Sequence, residues 1–496
     1  MNDGNSATLR PGDVGERVGR LFAAQRAAFS AAPYPSAQAR RAKLKALKRQ
    51  IGRYQDVIAR AISRDFGFRS ASETKMLDLL GATLEANHAI SHVRRWMRPS
   101  RRAVELLFLT NSLRVNYQPK GVVGIIVPWN FPIYLALGPL IAALAAGNRA
   151  MIKMSEATPA ANQVLARLLG EIFPEDEVAV VGAELADPAA FTALPFDHIV
   201  FTGSSRVGKL VMASAARNLT PVTLELGGKS PALVLRDYPV ADAALRIAHG
   251  KSVNCAQICV SRDYALVPRE SVDAFVESAR ASFVKFYGAR FRDSADYTWV
   301  ANDAHLARIE ALLQDARDKG ARVIPCADYE AGDGRRMPLH IVVNCTDDMR
   351  IMKEELFGPI LPIAPYDDLD DAIAYINARE RPLALYCFGH DAEQRGSLLS
   401  RTHSGGVTIN DWGWHVVNHD APFGGIGHSG MGGYHGVEGF RELSHAKTVF
   451  KRHRWFPIGL FYPPYGALAQ KLTLKFFLGN ADPALQPPPE APRTGN

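Results

Sequence analysis

Cys259 stands in the stretch KSVNCAQICVSRDYALV, just ahead of an apolar run that reads as a strand. A free thiol titrates near ~8.5, so only a few per cent is nucleophilic thiolate at neutral pH. A nucleophilic role therefore needs a helix-end dipole, a base or a nearby positive charge; without one, Cys259 is a small buried hydrophobe. Glu225, in TLELGGKSPALVL, lies in an apolar run ending at a Gly-Gly turn. Desolvation there raises a carboxyl toward the range of a general base, although a hydrogen-bonded structural Glu fits the same pattern. Asn130, between Trp129 and Phe131 in VPWNFP, carries an amide that can donate to an oxyanion or hold a turn. In HIVFTGSSRVGKLVMASAA, Gly203, Gly208 and Lys209 nearly complete the triphosphate loop G-x-x-x-x-G-K-[ST], but Leu210 lacks the hydroxyl a metal needs. Gly203, Ser204 and Gly208 still suit a phosphate approached without a metal at the head of a helix, or a purely structural turn.

These residues need elements to hold them. Residues 14–100 have apolar positions three and four apart, interrupted at Pro33 and Pro35, and predict helices. Residues 122–127 form a fully apolar run that predicts a buried parallel strand, and 150–153, 178–181 and 198–201 repeat the pattern with helical spacing between. This alternation predicts an α/β fold with a doubly wound parallel sheet. A second alternating series begins near Leu233 and runs through 264–267 and 339–343. Residues 134–147, with Pro139 inside, are too short to span a bilayer and read as a buried helix, so no transmembrane segment is expected.

The chain has 496 residues, 47% hydrophobic and 22% charged, as a multi-domain globular protein does. Its net charge of +8 is dispersed except in RRAKLKALKR (40–49), which reads as a solvated helix face. With no nucleic-acid motif beside it, no nucleic-acid partner is expected. Five irregularly spaced cysteines predict a reducing, cytoplasmic setting. Cys255, four residues before Cys259, suggests a metal pair, but no further Cys or His completes a site, and none is expected.

VPWNFP, FTGSSRVG, LELGGKSP, NCAQICVSRDY, EELFGPI and PFGGIGHSGMGGYHG occur in this order, and together they resemble the signature set of the NAD(P)-dependent aldehyde dehydrogenases over about residues 20–450. CVSRDY and SGMGGYHG resemble the class 3 branch, and the tail FYPPYGALAQKLTLKFF is similar to that of bacterial coniferyl aldehyde dehydrogenases. The resemblance implies Cys259 as the nucleophile, Glu225 as the general base and Asn130 as an oxyanion donor. It implies cofactor contacts at Trp129, Lys153, Glu156, Gly203, Ser204, Gly208, Glu355 and Phe357, with NAD preferred and NADP possible because Glu156 faces the adenosine ribose. The implied reaction converts an aldehyde to a carboxylic acid through a thiohemiacetal and a thioester on cysteine. The implied architecture is a dinucleotide-binding domain (18–98 and 122–226), a second α/β catalytic domain (227–436), bridging segments (99–121 and 437–478) that would make a homodimer, and disordered tails (1–15 and 480–496).

Three departures from the family pattern stand out: Ala256 where a glycine is usual, Met154 after Lys153 in place of the common proline, and Trp412, Trp414 and His415 in a region that borders the substrate entrance. The two tryptophans raise the expectation of an aromatic mouth suited to arylaldehydes such as coniferaldehyde, against an alternative of rings buried on the C-terminal segment. The competing activities are oxidation of medium- or long-chain aliphatic aldehydes, acyl transfer to coenzyme A, which generally lacks the base, and a non-catalytic role.

Overall fold

A computed structural model describes residues 11–182, 184–185, 187–329 and 334–485. The tail residues 1–10 and 486–496 lie outside the described residues, and a helix already runs from Pro11 to Ala31, within the stretch expected to be a tail. The chain divides into two compact units, one of residues 1–98 and 117–446, the other of 99–116 and 447–496.

The larger unit holds two sheets. The first is built on the four apolar runs expected as strands, joined by an unforeseen one at Val222–Glu225, in the spatial order Val222–Glu225, His198–Thr202, Val122–Ile126, Arg149–Lys153, Val178–Val181. Their pairings are all parallel. The chain leaves the central strand Val122–Ile126 toward one side and later returns on the other, so the order reverses between it and His198–Thr202. In an open parallel sheet that switch point, at the carboxyl ends of the strands, leaves a crevice for a ligand. The loops leaving those two strands carry Asn130 and Gly203. A two-residue strand, Gly430–Met431, adds antiparallel to the edge and pairs Gly430 with Glu225.

The second sheet orders its strands Arg322–Pro325, His340–Val343, Ile360–Tyr366, Tyr264–Pro268, Pro231–Val234, Ala384–Phe388, Gly406–Ile409. All pairs are parallel except the first. The helix Tyr134–Ala146 is buried at every position, as an element apolar all round must be, and ends on Gly147 at φ 92°.

One expectation fails on this helix. Arg40, expected on a solvated face, is 1% exposed, and its Nη1 donates to the Ala145 and Ala146 carbonyls at 3.0 and 2.6 Å. Those carbonyls end a buried helix and have no helical donor of their own, so a buried guanidinium replaces water there.

The smaller unit contains most of a three-stranded sheet, Ser100–Arg102, Ser112–Pro119 and Ser444–Lys451, followed by the helix Leu468–Leu478. Among the described residues no helix is long and apolar enough to cross a membrane.

Candidate active site

Cys259 lies on a loop with an uncommon backbone. After the helix Val240–Ser252 the chain enters the left-handed region at Asn254, Cys255 and Ala256, with φ of 48°, 52° and 57°. Three such non-glycine residues in succession are strained and persist only where the surroundings hold them. Here buried polar groups do so. The Asn254 N–H donates to Glu73 Oε1 at 2.6 Å, and its amide donates to the carbonyls of Asn130 and Gln257 at 3.2 and 3.1 Å. Gln257 Nε2 donates to the Trp299 carbonyl at 3.0 Å, and its Oε1 accepts from the Ala301 N–H at 2.8 Å.

Asn130 is fixed by the same network. Its Nδ2 donates one hydrogen to the Gln257 carbonyl at 3.1 Å, and its own carbonyl accepts from Arg69 Nη1 at 3.1 Å. An amide has two N–H groups, so one stays available for an oxyanion beside Cys259. Arg69 in turn pairs with Asp78 at 3.0 Å, both side chains fully buried, and Asp78 Oδ1 accepts from the N–H groups of Ile133 and Tyr134. Arg69, Glu73, Asp78, Asn254 and Gln257 escaped the sequence reading because each is an ordinary polar residue there, and only folding brings them to this loop.

Glu225 ends its strand 2% exposed, with neither carboxylate oxygen hydrogen-bonded among the described residues. Burial without a partner pushes its carboxyl well above the usual range. Burial, together with the charges of Glu355 and Glu225, pushes the Cys259 thiol up to about 12, against a smaller opposing pull from the N–H groups of Val260 and Cys259.

Two cavities meet at Cys259. One, of about 250 Å³, is bounded by Trp129, Gly203, Ser204, Glu225, Glu355 and Phe357. Ser204, in the wall of this cavity, caps the helix Ser205–Ala216 by accepting from the Val207 N–H, and a helix start of this kind has further N–H groups to offer an anion. A Cβ on Gly208 would stand 2.7 Å from Leu226 Cδ2, and one on Gly227 would collide with Glu355 Oε1, so a larger residue at either position would displace the tip of that side chain. Burial raises Glu355 to about 8. Phe357, at φ 50°, packs edge-on to Trp129 at 5.4 Å, and its carbonyl meets His305 Nε2 at 2.7 Å. Lys153, at the end of its strand, reaches Glu156 Oε2 at 3.2 Å, and the Glu156 carboxylate is exposed. A capped helix start at a switch point, Gly203 and Gly227 in the cavity wall and a Lys–Glu pair at the next strand end fit a dinucleotide. Leu210, at the position where a triphosphate loop needs a hydroxyl for its metal, is 61% exposed on this helix and supplies none.

The other cavity, of about 400 Å³, is mainly apolar; Phe131, Tyr134, Phe286, Trp412, Trp414 and Phe423 contribute to its wall. His415 lies behind that wall, with Nδ1 at 2.6 Å from Thr408 Oγ1. Cys255 is fully buried with its sulfur 3.6 Å from the Tyr297 hydroxyl, and all five cysteines are free.

This geometry has counterparts. The aldehyde dehydrogenase family model matches residues 11–449. The chain is 52% identical over 458 residues to a Pseudomonas aeruginosa protein named "Probable coniferyl aldehyde dehydrogenase", spanning 92% of this chain and 96% of that one. The solved substrate-bound Staphylococcus aureus AldH is similar at a TM-score of 0.87 and 34% identity, over 92% of this chain and 99% of that one. A Mycobacterium tuberculosis aldehyde dehydrogenase complexed with NAD+ is similar at 0.79 and 28%, over 88% and 90%. The chain belongs to the aldehyde dehydrogenase family and is an aldehyde-oxidising enzyme that uses NAD(P).

Proposed function

We propose that this enzyme oxidises aromatic, cinnamyl-type aldehydes to carboxylic acids, with NAD preferred over NADP. The observation that carries the reading is the aromatic cavity that opens onto Cys259 opposite the dinucleotide side. Flat rings gain more from such a wall than a flexible alkyl chain does. The relative from Pseudomonas aeruginosa, named for coniferyl aldehyde, supports the same substrate class.

Cys259 reacts as the thiolate, its proton released to solvent, and forms a C–S bond to the aldehyde carbon as the carbonyl π bond breaks, placing the negative charge on the former carbonyl oxygen. The free N–H of Asn130 and the backbone N–H of Cys259 hold that charge. A nicotinamide held by the residues of the cavity of about 250 Å³ would supply the acceptor for the hydride of the thiohemiacetal C–H, so that a thioester remains on Cys259. Glu225 takes a proton from water as it attacks the thioester, the C–S bond breaks, and the carboxylic acid leaves. Glu225 also favours hydrolysis over transfer to coenzyme A. The preference for NAD rests on the exposed Glu156 carboxylate beside Lys153, which would repel a 2′-phosphate.

The reading includes the division into dinucleotide-binding, catalytic and bridging segments, supported by the two separate sheets. It also includes a cytoplasmic homodimer; free cysteines suit a reducing compartment. Sedimentation equilibrium at micromolar protein would give twice the chain mass.

The test is NADH formation across cinnamaldehydes, benzaldehydes and straight-chain aldehydes, with NADP in parallel and Cys259→Ala as the blank. The cinnamyl compounds are expected to show the highest kcat/KM, and none should turn over with the blank. A preference for long alkyl aldehydes would keep the chemistry and overturn the substrate.

A further inference from the structure

The aromatic cavity has a polar group that the reaction does not use. His249, near the end of the helix Val240–Ser252, lines the same cavity as Cys259 and is the more exposed of the two, which sets it nearer the solvent side. Its ring is held from two sides. Trp412 meets it edge-on at 5.5 Å and Phe286 at 5.4 Å, both residues of the cavity wall.

Trp412 Nε1 donates to His249 Nδ1 at 2.9 Å. An indole nitrogen can only donate, so Nδ1 must be the accepting nitrogen, and the neutral ring carries its hydrogen on Nε2. The Trp412 and Phe286 rings packed against it keep water from part of this exposed ring, and that desolvation and the nearby Arg262 guanidinium both disfavour the charged form. Trp412 is itself fixed: the fully buried Arg262 lies 5.1 Å over its ring, and its backbone N–H donates to Asp411 Oδ1 at 2.9 Å. Asp411 is held in turn by Arg246 at 3.0 Å. The Nε2–H therefore has a set direction and no partner among the described residues.

We propose that His249 is a specificity-determining residue, whose Nε2–H donates to an oxygen at the far end of an aromatic aldehyde, a phenol or an aryl ether. The proposal rests on the arylaldehyde reading above and adds ring oxygenation to it. An unsubstituted ring or an alkyl chain covers the same donor without pairing it and forfeits the bond. Asp296, an exposed carboxylate lining the same cavity, is the competing recogniser. It can only accept, so it would select phenols and not ethers.

The experiment compares kcat/KM for cinnamaldehyde, 4-hydroxycinnamaldehyde and 4-methoxycinnamaldehyde in the wild-type enzyme, His249→Leu and His249→Gln. The wild type is expected to favour both oxygenated rings by about tenfold, the worth of one ordinary hydrogen bond. In His249→Leu both ratios fall toward one, mainly through KM, and His249→Gln, which keeps an N–H donor, restores part of them. Ratios unchanged in His249→Leu, or a preference confined to the phenol, overturn this proposal alone. Failure of the wild type to oxidise any of the three, with straight-chain aldehydes turned over, overturns the arylaldehyde reading as well.

Discussion

Cys259 and Glu225 share one property: both are held in their neutral forms by the surroundings that bring them together. Burial away from bulk solvent raises the cost of each charge. Activity is therefore expected to climb as pH rises above neutrality, because both groups have raised titrations and the working forms are the deprotonated ones. Glu225→Gln should give a burst of NADH close to one per active site followed by a steady rate lower by a factor of about 10² or more, a result stopped-flow absorbance would show. Loss of burst and steady state alike would place Glu225 in acylation instead. Asn130→Ala removes the one oxyanion donor supplied by a side chain. It is expected to lower kcat by about 10²–10³ with a smaller change in KM, measured on the same substrate.

At the scale of the element, the nucleophile loop matters most. Ala256 sits at φ 57° on a loop where the family pattern has glycine. An L-residue there costs roughly 1 kcal/mol relative to glycine, part of which glycine returns through the greater freedom of its unfolded chain. Ala256→Gly is thus expected to stabilise by up to about 1 kcal/mol, readable as a shift in urea midpoint with the same m value. A loss of stability would show that the alanine methyl packs well enough to outweigh the strain. Elements like this one divide the legible from the illegible. The parallel strands were legible because strands buried on both faces are continuous apolar runs. The Gly430–Met431 strand was not, since two residues carry no period. Arg40 was misread because a basic run looks the same whether its members meet water or a helix end.

The whole molecule holds another buried carboxyl away from the reacting atoms. Glu85 is 3% exposed, its Oε2 has no hydrogen bond among the described residues, and burial raises it to about 8. It packs where the helices Leu80–Trp96 and Tyr134–Ala146 meet the segment around His435, 4.0 Å from the His435 ring nitrogen. The unfolded chain ionises this carboxyl above about 4.5 while the folded protein keeps it protonated until about 8. Its contribution to stability is thus fully present below the lower value and is lost as pH rises through the upper one. Glu85→Gln has no such proton to lose. The variant is expected to gain melting temperature relative to the wild type as pH goes from 5 to 8, seen by calorimetry at the two values. A constant difference between the two proteins would show that Glu85 ionises alike in both states.

By itself the sequence determined the fold class, the order of the parallel strands along the chain and the type of chemistry. Apolar runs, glycine turns and a cysteine, a glutamate and an asparagine in characteristic surroundings are local patterns, and local patterns survive in one dimension. Only the tertiary structure decided what stands next to what. The two cavities meeting at Cys259, the bond from Arg69 to the Asn130 backbone carbonyl and the bond from Trp412 to His249 join residues far apart in the chain. Their spacing in sequence carries no trace of contact, because the distance between two side chains depends on every element packed between them.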